Sequence, residues 1–184
     1  MKTASIDSEE ILAQCRKLVS RQGIEAVDMR TVASACNVSV GSVYRYFPNK
    51  SELLLHTVAS VWNDILQDAG EFNHFSEALD WFYEALRKGQ KKYPGFLQVH
   101  GQSISATEGS RKHSQCLKQV RDIMMQALET DPDVDQNVFD ADMPKEKFLD
   151  TVILSASALV QRNEKDCSVL QEMIDRCLKY RRNR

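Results

Sequence analysis

Apolar residues recur every three or four positions along nearly the whole 184-residue chain. That spacing is the period of an α-helix, not of a strand. No Asn-Gly or Asp-Gly pair separates alternating runs, so hairpin signals are missing too. The expected fold class is all-α. Asp7 with Glu10 three residues later has the form of a capping box, and Ile11, Leu12, Cys15, Leu18 and Val19 then line one face as far as Gly23. A first helix over residues 8–21 follows. Shorter helices are expected over 29–36 and 41–47, and Asn49-Lys50-Ser51-Glu52 opens a fourth that should run to Gly70, about 30 Å. Further periodicity places helices near 74–91, 94–107, 110–130, 144–162 and 166–180, about nine in all, punctuated by Gly89, Pro94-Gly95, Gly109 and Pro132.

Charge divides the chain unevenly. Residues 1–50 hold seven Lys/Arg against five Asp/Glu, while residues 51–184 hold seventeen against twenty-one. Only the N-terminal part invites a polyanion. No apolar run approaches the roughly 18 to 20 residues that cross a bilayer, and the N-terminus lacks the charged-then-apolar pattern of a secretory signal. Five cysteines with no C-x-x-C pair suit a reducing compartment. A cytoplasmic protein with no membrane partner is therefore expected.

Residues 29–48, MRTVASACNVSVGSVYRYFP, have the spacing of a helix-turn-helix. Ala33 is small where two helices would cross. Asn37, four residues on, stands where a tight turn needs a left-handed backbone, which Asn tolerates better than most residues. Val32, Cys36, Val38, Val43 and Phe47 supply the contacts between the two helices, leaving Ser39, Val40, Gly41, Ser42, Tyr44 and Arg45 on an outer face. An outer face of Tyr, Ser and Arg suits the DNA major groove better than it suits bulk water.

The run VASACNVSVGSVYRYFPNKSELL, with Tyr44, Tyr46, Phe47 and the Asn49-Lys50-Ser51-Glu52-Leu53 helix start, resembles the signature of TetR-family regulators over about residues 8–60. The resemblance implies a three-helix DNA-binding domain (1–48), a connecting helix (49–70), and a helical sensor and dimerisation domain (49–184). It also implies a ligand-responsive transcriptional regulator, expected to be a repressor that a small molecule releases from a palindromic operator. Two positions depart from the pattern: Asp28 stands for the usual Thr or Ser before the second helix, and Asn37 for the usual Gly. By chemistry, Arg30 and Arg45 are the expected base readers, since each offers a fork to guanine. Ser39, Val40, Gly41 and Ser42 lie where base edges come closest, and Thr31, Tyr44, Tyr46 and Lys50 are expected to hold phosphates.

In the second half, Trp62, Trp81, Phe82, Phe96, His100, Met124 and Met125 are candidates to line an effector pocket between helices. Wide apolar stripes make Leu149, Val152, Ile153, Ala156, Leu159, Leu170, Met173, Ile174 and Cys177 the candidate homodimer surface, a four-helix bundle made by two helices from each subunit. Residues 131–142 carry five Asp and no Lys or Arg, with carboxylates at several EF-hand offsets. Gln136 stands where that loop needs Gly, so no metal and no cofactor is expected. Catalytic motifs are missing: there is no Gly-rich phosphate loop, no H-E-x-x-H and no G-x-S-x-G. The chain is read as no enzyme, the alternatives being a protein-binding adaptor or a helical enzyme that reuses the same fold.

Overall fold

A computed structural model describes residues 6–100 and 113–179. Among the described residues there are nine α-helices and no β-strand, only an isolated bridge between Val134 and Lys179. Helix α1 spans Ser8–Gln22 and starts as its sequence demands: the Asp7 carboxylate accepts from the Glu10 N–H at 2.8 Å, and the Glu10 carboxylate accepts from the Asp7 N–H at 3.0 Å. It buries Ile11, Cys15 and Val19. Gly23 ends it with φ 83°, a conformation open to a residue without Cβ. Helix α2 (Met29–Ala35) then packs against α1 and against helix α3 (Val40–Tyr44), and Val32, Ala33, Val43 and Phe47 are buried.

Helix α4, Lys50–Ile65, is capped by Asn49, whose side chain accepts from the Glu52 N–H at 2.9 Å. It stops five residues short of the expected Gly70. Residues 67–70 (Gln-Asp-Ala-Gly) are all exposed, so no apolar side chain rewards another turn, and Asp68 takes φ 63°. Helices α5 (Phe75–Lys92), α6 (Phe96–His100), α7 (His113–Thr130), α8 (Lys145–Gln161) and α9 (Ser168–Leu178) complete the chain. Helix α5 is the hub, packed against α4, α7 and α8.

The Asp-rich stretch serves as a joint. Buried Asp131 accepts from the N–H groups of Phe75 (2.8 Å) and Asp133 (2.9 Å) and lies 3.1 Å from His74 Nδ1, pinning the start of α5 to the end of α7. Burial pushes its carboxyl up, but these hydrogen bonds outweigh burial and hold it below its ordinary range.

Many of the candidate effector and dimer residues turn into the chain's own interior. Leu149, Val152, Ile153 and Ala156 on α8 and Ile174 on α9 are buried within this chain, so their side chains are closed to a second copy. They cover α5 and the joint instead. Leu159 and Leu170 are half-buried against the same core, whereas Met173 and Cys177 are exposed together with Leu154 and Val169. The outward surface of α8 and α9 is thus narrower than the sequence stripe. Likewise Trp62, Phe82, Phe96 and Met124 are interior packing, each no more than 2% exposed; Trp62 and Phe96 meet edge to face at 5.5 Å. Trp81 and Met125 are half-buried. The side chain of His100 lies outside the described residues.

Candidate nucleic-acid interface

The reading unit is built from three caps and one turn. Asp28 caps α2, accepting from the N–H of Arg30 (2.9 Å) and Thr31 (3.1 Å) and from the Thr31 hydroxyl (2.6 Å). The Thr31 hydrogen bond chiefly lowers the Asp28 carboxyl, with a smaller contribution from the charge of Lys50. Asp28 therefore does the capping work of the Thr or Ser it replaces.

Asn37 takes φ 53° and turns the chain between α2 and α3, while the Val38 N–H donates to the Ala33 carbonyl at 3.0 Å. Ser39 caps α3 through the Ser42 N–H at 3.2 Å and also shares a hydroxyl contact with Ser42 at 2.9 Å. Helix α3 stops at Tyr44, earlier than the expected 47. Tyr46 and Phe47 both return their N–H groups to the Val43 carbonyl, a tightened last turn before Pro48.

On the outer surface Arg30, Ser39, Gly41, Tyr44, Arg45 and Lys50 are exposed, while Thr31, Val40, Ser42 and Tyr46 are half-buried. The first group includes three cations, Arg30, Arg45 and Lys50. Within the second group, two side chains have their protons committed. Thr31 gives its hydroxyl proton to Asp28, and Tyr46 gives its own to the Ile6 carbonyl at 2.7 Å. Tyr46 is therefore a strut, and sequence spacing alone does not show that. It also holds Arg45: the guanidinium lies 4.8 Å from the ring centroid and donates to the Tyr46 oxygen at 2.7 Å.

Sequence reasoning also missed the latch that ties this unit to the rest of the chain. Arg16 of α1 donates to the Ser60 hydroxyl on α4, and the Ser20 hydroxyl donates to the Lys92 carbonyl at 2.7 Å. Beside them, Asp64 near the end of α4 receives Lys92 Nζ at 2.6 Å and the Tyr93 hydroxyl at 2.8 Å. Burial raises the Asp64 carboxyl, and these two bonds more than reverse it. The partners are tens of residues apart, and no local pattern signals them.

Comparison with known proteins agrees with this geometry. Residues 11–57 match the description of bacterial regulatory proteins of the tetR family. The repressor KstR of Rhodococcus jostii is 47% identical over 51 residues, 28% of this chain and 24% of that protein. A helix-turn-helix regulator of Haemophilus influenzae with no assigned role is 32% identical over 109 residues, 57% of this chain and 55% of the relative. The matched region thus spans between a quarter and just over half of these relatives' lengths. In overall fold the chain is similar to BioQ, solved with its double-stranded DNA operator, at TM-score 0.60 and 18% identity, covering 94% of this chain and 98% of BioQ. A TetR-family protein of Vibrio parahaemolyticus gives TM-score 0.62 at 16% identity with the same coverage. The N-terminal module is thus matched in sequence by the tetR-family description over residues 11–57, and the chain is similar in overall fold to these two solved proteins.

Proposed function

We propose that the protein is a DNA-binding transcriptional repressor, working in the cytoplasm as a two-fold dimer that a small molecule releases from a palindromic operator. Residues 1–48 form the reading domain and residues 49–184 the sensor and dimerisation domain. One observation carries the reading: α3 is capped by Ser39 and packed through Val43 and Phe47 so that Ser39, Gly41, Tyr44 and Arg45 stay exposed, as do Arg30 at the start of α2 and Lys50 at the start of α4. A short helix with small N-terminal side chains and cations around it fits the major groove. Arg30 and Arg45 read bases, with Tyr46 aiming Arg45 in place of a phosphate contact of its own. Lys50 and Tyr44 hold the backbone. The dimer forms through the outward surface of α8 and α9. BioQ, whose structure was solved on its operator, and KstR, named a repressor, support this by likeness.

Selection from a random duplex pool tests the reading. Recovery of an inverted repeat with half-sites centred about 10 base pairs or a multiple apart is expected. A pool that shows no enrichment after repeated rounds would overturn it and favour an adaptor or an enzyme on this fold.

A further inference from the structure

The turn after α7 brings one ring nitrogen and two carboxylates together. His74 Nδ1 lies 3.1 Å from Asp131 Oδ1 and 3.7 Å from Asp133 Oδ2, and one donor atom from each of the three residues falls within 4.8 Å of the other two. Two donors held at about 2.1 Å from one ion are about 3.0 Å apart in an octahedron and about 3.4 Å apart in a tetrahedron. The set is therefore close to a ligand geometry before any side chain moves. The ring nitrogen comes from 57 positions before Asp131, so no spacing within the Asp-rich loop signals it.

Backbone groups hold two of these residues in place. Asp131 Oδ2 accepts from the Phe75 N–H at 2.8 Å and Oδ1 from the Asp133 N–H at 2.9 Å, which fixes the carboxylate as outer hydrogen bonds fix the ligands of a metal site. The Glu77 carboxylate accepts from the N–H groups of Asn73 (3.1 Å) and His74 (3.3 Å), seating His74 at the start of α5. Asp133 is the adjustable member: its side chain is 62% exposed and can rotate to close the remaining distance. A cavity of about 240 Å³ opens beside the three residues, wide enough for the waters that would complete a coordination shell.

Charge favours an ion there. Lys179 on the cavity wall is paired with Asp175 at 2.7 Å, which leaves the carboxylates of Asp131 and Asp133 facing a single imidazole. The Asp175 hydrogen bond chiefly raises the Lys179 ammonium, and the charges of Asp133 and Asp131 add to it, so the cavity is negative beyond its own ion pair. The donor set has no thiolate and too few oxygens for the roughly six to eight that calcium takes, whereas one imidazole with two carboxylates suits zinc and its first-row neighbours.

We propose that His74, Asp131 and Asp133 bind one divalent first-row transition ion, which staples the start of α5 to the turn after α7. Asp131 is ionised, so Nδ1 carries the proton in the hydrogen bond between them; the ion takes that place, and the neutral imidazole keeps its one proton on Nε2. The turn also carries the end of α9, since the Asp135 N–H donates to the Leu178 carbonyl at 2.8 Å, and the ion sits where three helices meet. The site does not depend on the regulator reading, and its test needs no DNA.

Titration of the full chain with cobalt(II), followed by visible absorption and with zinc as competitor, tests the site. One ion per chain should bind, without the near-ultraviolet charge-transfer band that a cysteine ligand would give it. His74→Asn keeps a good helix cap and Asp133→Asn changes an exposed side chain, and each should weaken cobalt binding at least about tenfold. Zinc at about a hundredfold over its Kd should raise the melting temperature by about 5–10 °C relative to the same chain in EDTA, and at that zinc concentration each variant should lose about half of the rise or more. With EDTA present the joint rests on its hydrogen bonds alone. No binding, a thiolate band on the bound ion, or affinity unchanged in either variant overturns the site. Binding that leaves the melting temperature where it is in EDTA overturns the staple.

Discussion

At Asn37 the backbone stands at φ 53° with a side chain attached, and the whole reading unit turns on that residue. A residue with a plain Cβ is penalised there by roughly 1–2 kcal/mol, Asn less because its amide can bond locally, and Gly not at all. Asn37→Ala should therefore lower unfolding free energy by about 1 kcal/mol, with Asn37→Gly close to neutral, as read by urea titration. Gly41 is the opposite case. A Cβ at that position meets only Ser39 Oγ at 3.7 Å, so nothing in the chain itself demands glycine. Gly41→Ala should leave the fold intact, with up to about 1 kcal/mol gained from helix propensity. If the α3 backbone lies against bases, the same variant loses duplex affinity; unchanged affinity would remove Gly41 from the interface. Asn37, Asp28 and Ser39 were legible in the sequence because a cap or a turn is decided within four residues. The role of Tyr46 was not, because its partner Ile6 lies 40 positions away.

Helix starts were read well and helix ends poorly, for a reason visible in α4. Asn49 announces the start through its own side chain, whereas at the other end the last apolar residue, Ile65, is seated by a distant neighbour. That neighbour is Gly89, legible only as punctuation in a helical run, yet buried as the flat seat for Ile65. Gly89→Ala, helpful to an isolated helix, should here cost about 1–3 kcal/mol because a methylene carbon and both methyls of Ile65 must move. A thermal melt decides the sign: stabilisation would mean that the α4–α5 crossing is loose. The α5–α7 joint gives a pH prediction. Asp131 is held below its ordinary carboxylate range in the folded chain, so its contribution is complete above that range and fades as pH falls through it toward the lowered folded value. Asp131→Asn should be less stable than the parent at neutral pH, and the gap should narrow on acidification. A gap that stays constant down to strongly acidic pH would show that the carboxylate charge is not what holds the joint.

Over the whole molecule, periodicity located the helices but did not say which side of each faced another copy. A stripe such as Leu149, Val152, Ile153 and Ala156 reads the same whether it covers α5 or a second subunit, and here it covers its own core. The signal for association lies instead in what folding leaves outside: Leu154 at 44%, Met173 at 59% and Val169 at 74% exposed, with Cys177 near them on α9. We propose that these exposed side chains form the association surface; a two-fold axis through them would bring the same residues of both copies into contact. Met173→Glu places two like charges near that axis while disturbing nothing buried, so the variant should sediment as a monomer at micromolar concentration with its thermal unfolding otherwise preserved. Its DNA binding should change in a characteristic way. Each reading unit retains its own contacts, but the second half-site is no longer presented at an effective concentration fixed by the dimer, and apparent affinity for the full palindrome should fall by about 10²- to 10⁴-fold. Affinity for an isolated half-site should barely move. If Met173→Glu remains a dimer, or if both duplexes weaken equally, the second copy does not dock on this surface and the two reading heads are held together elsewhere.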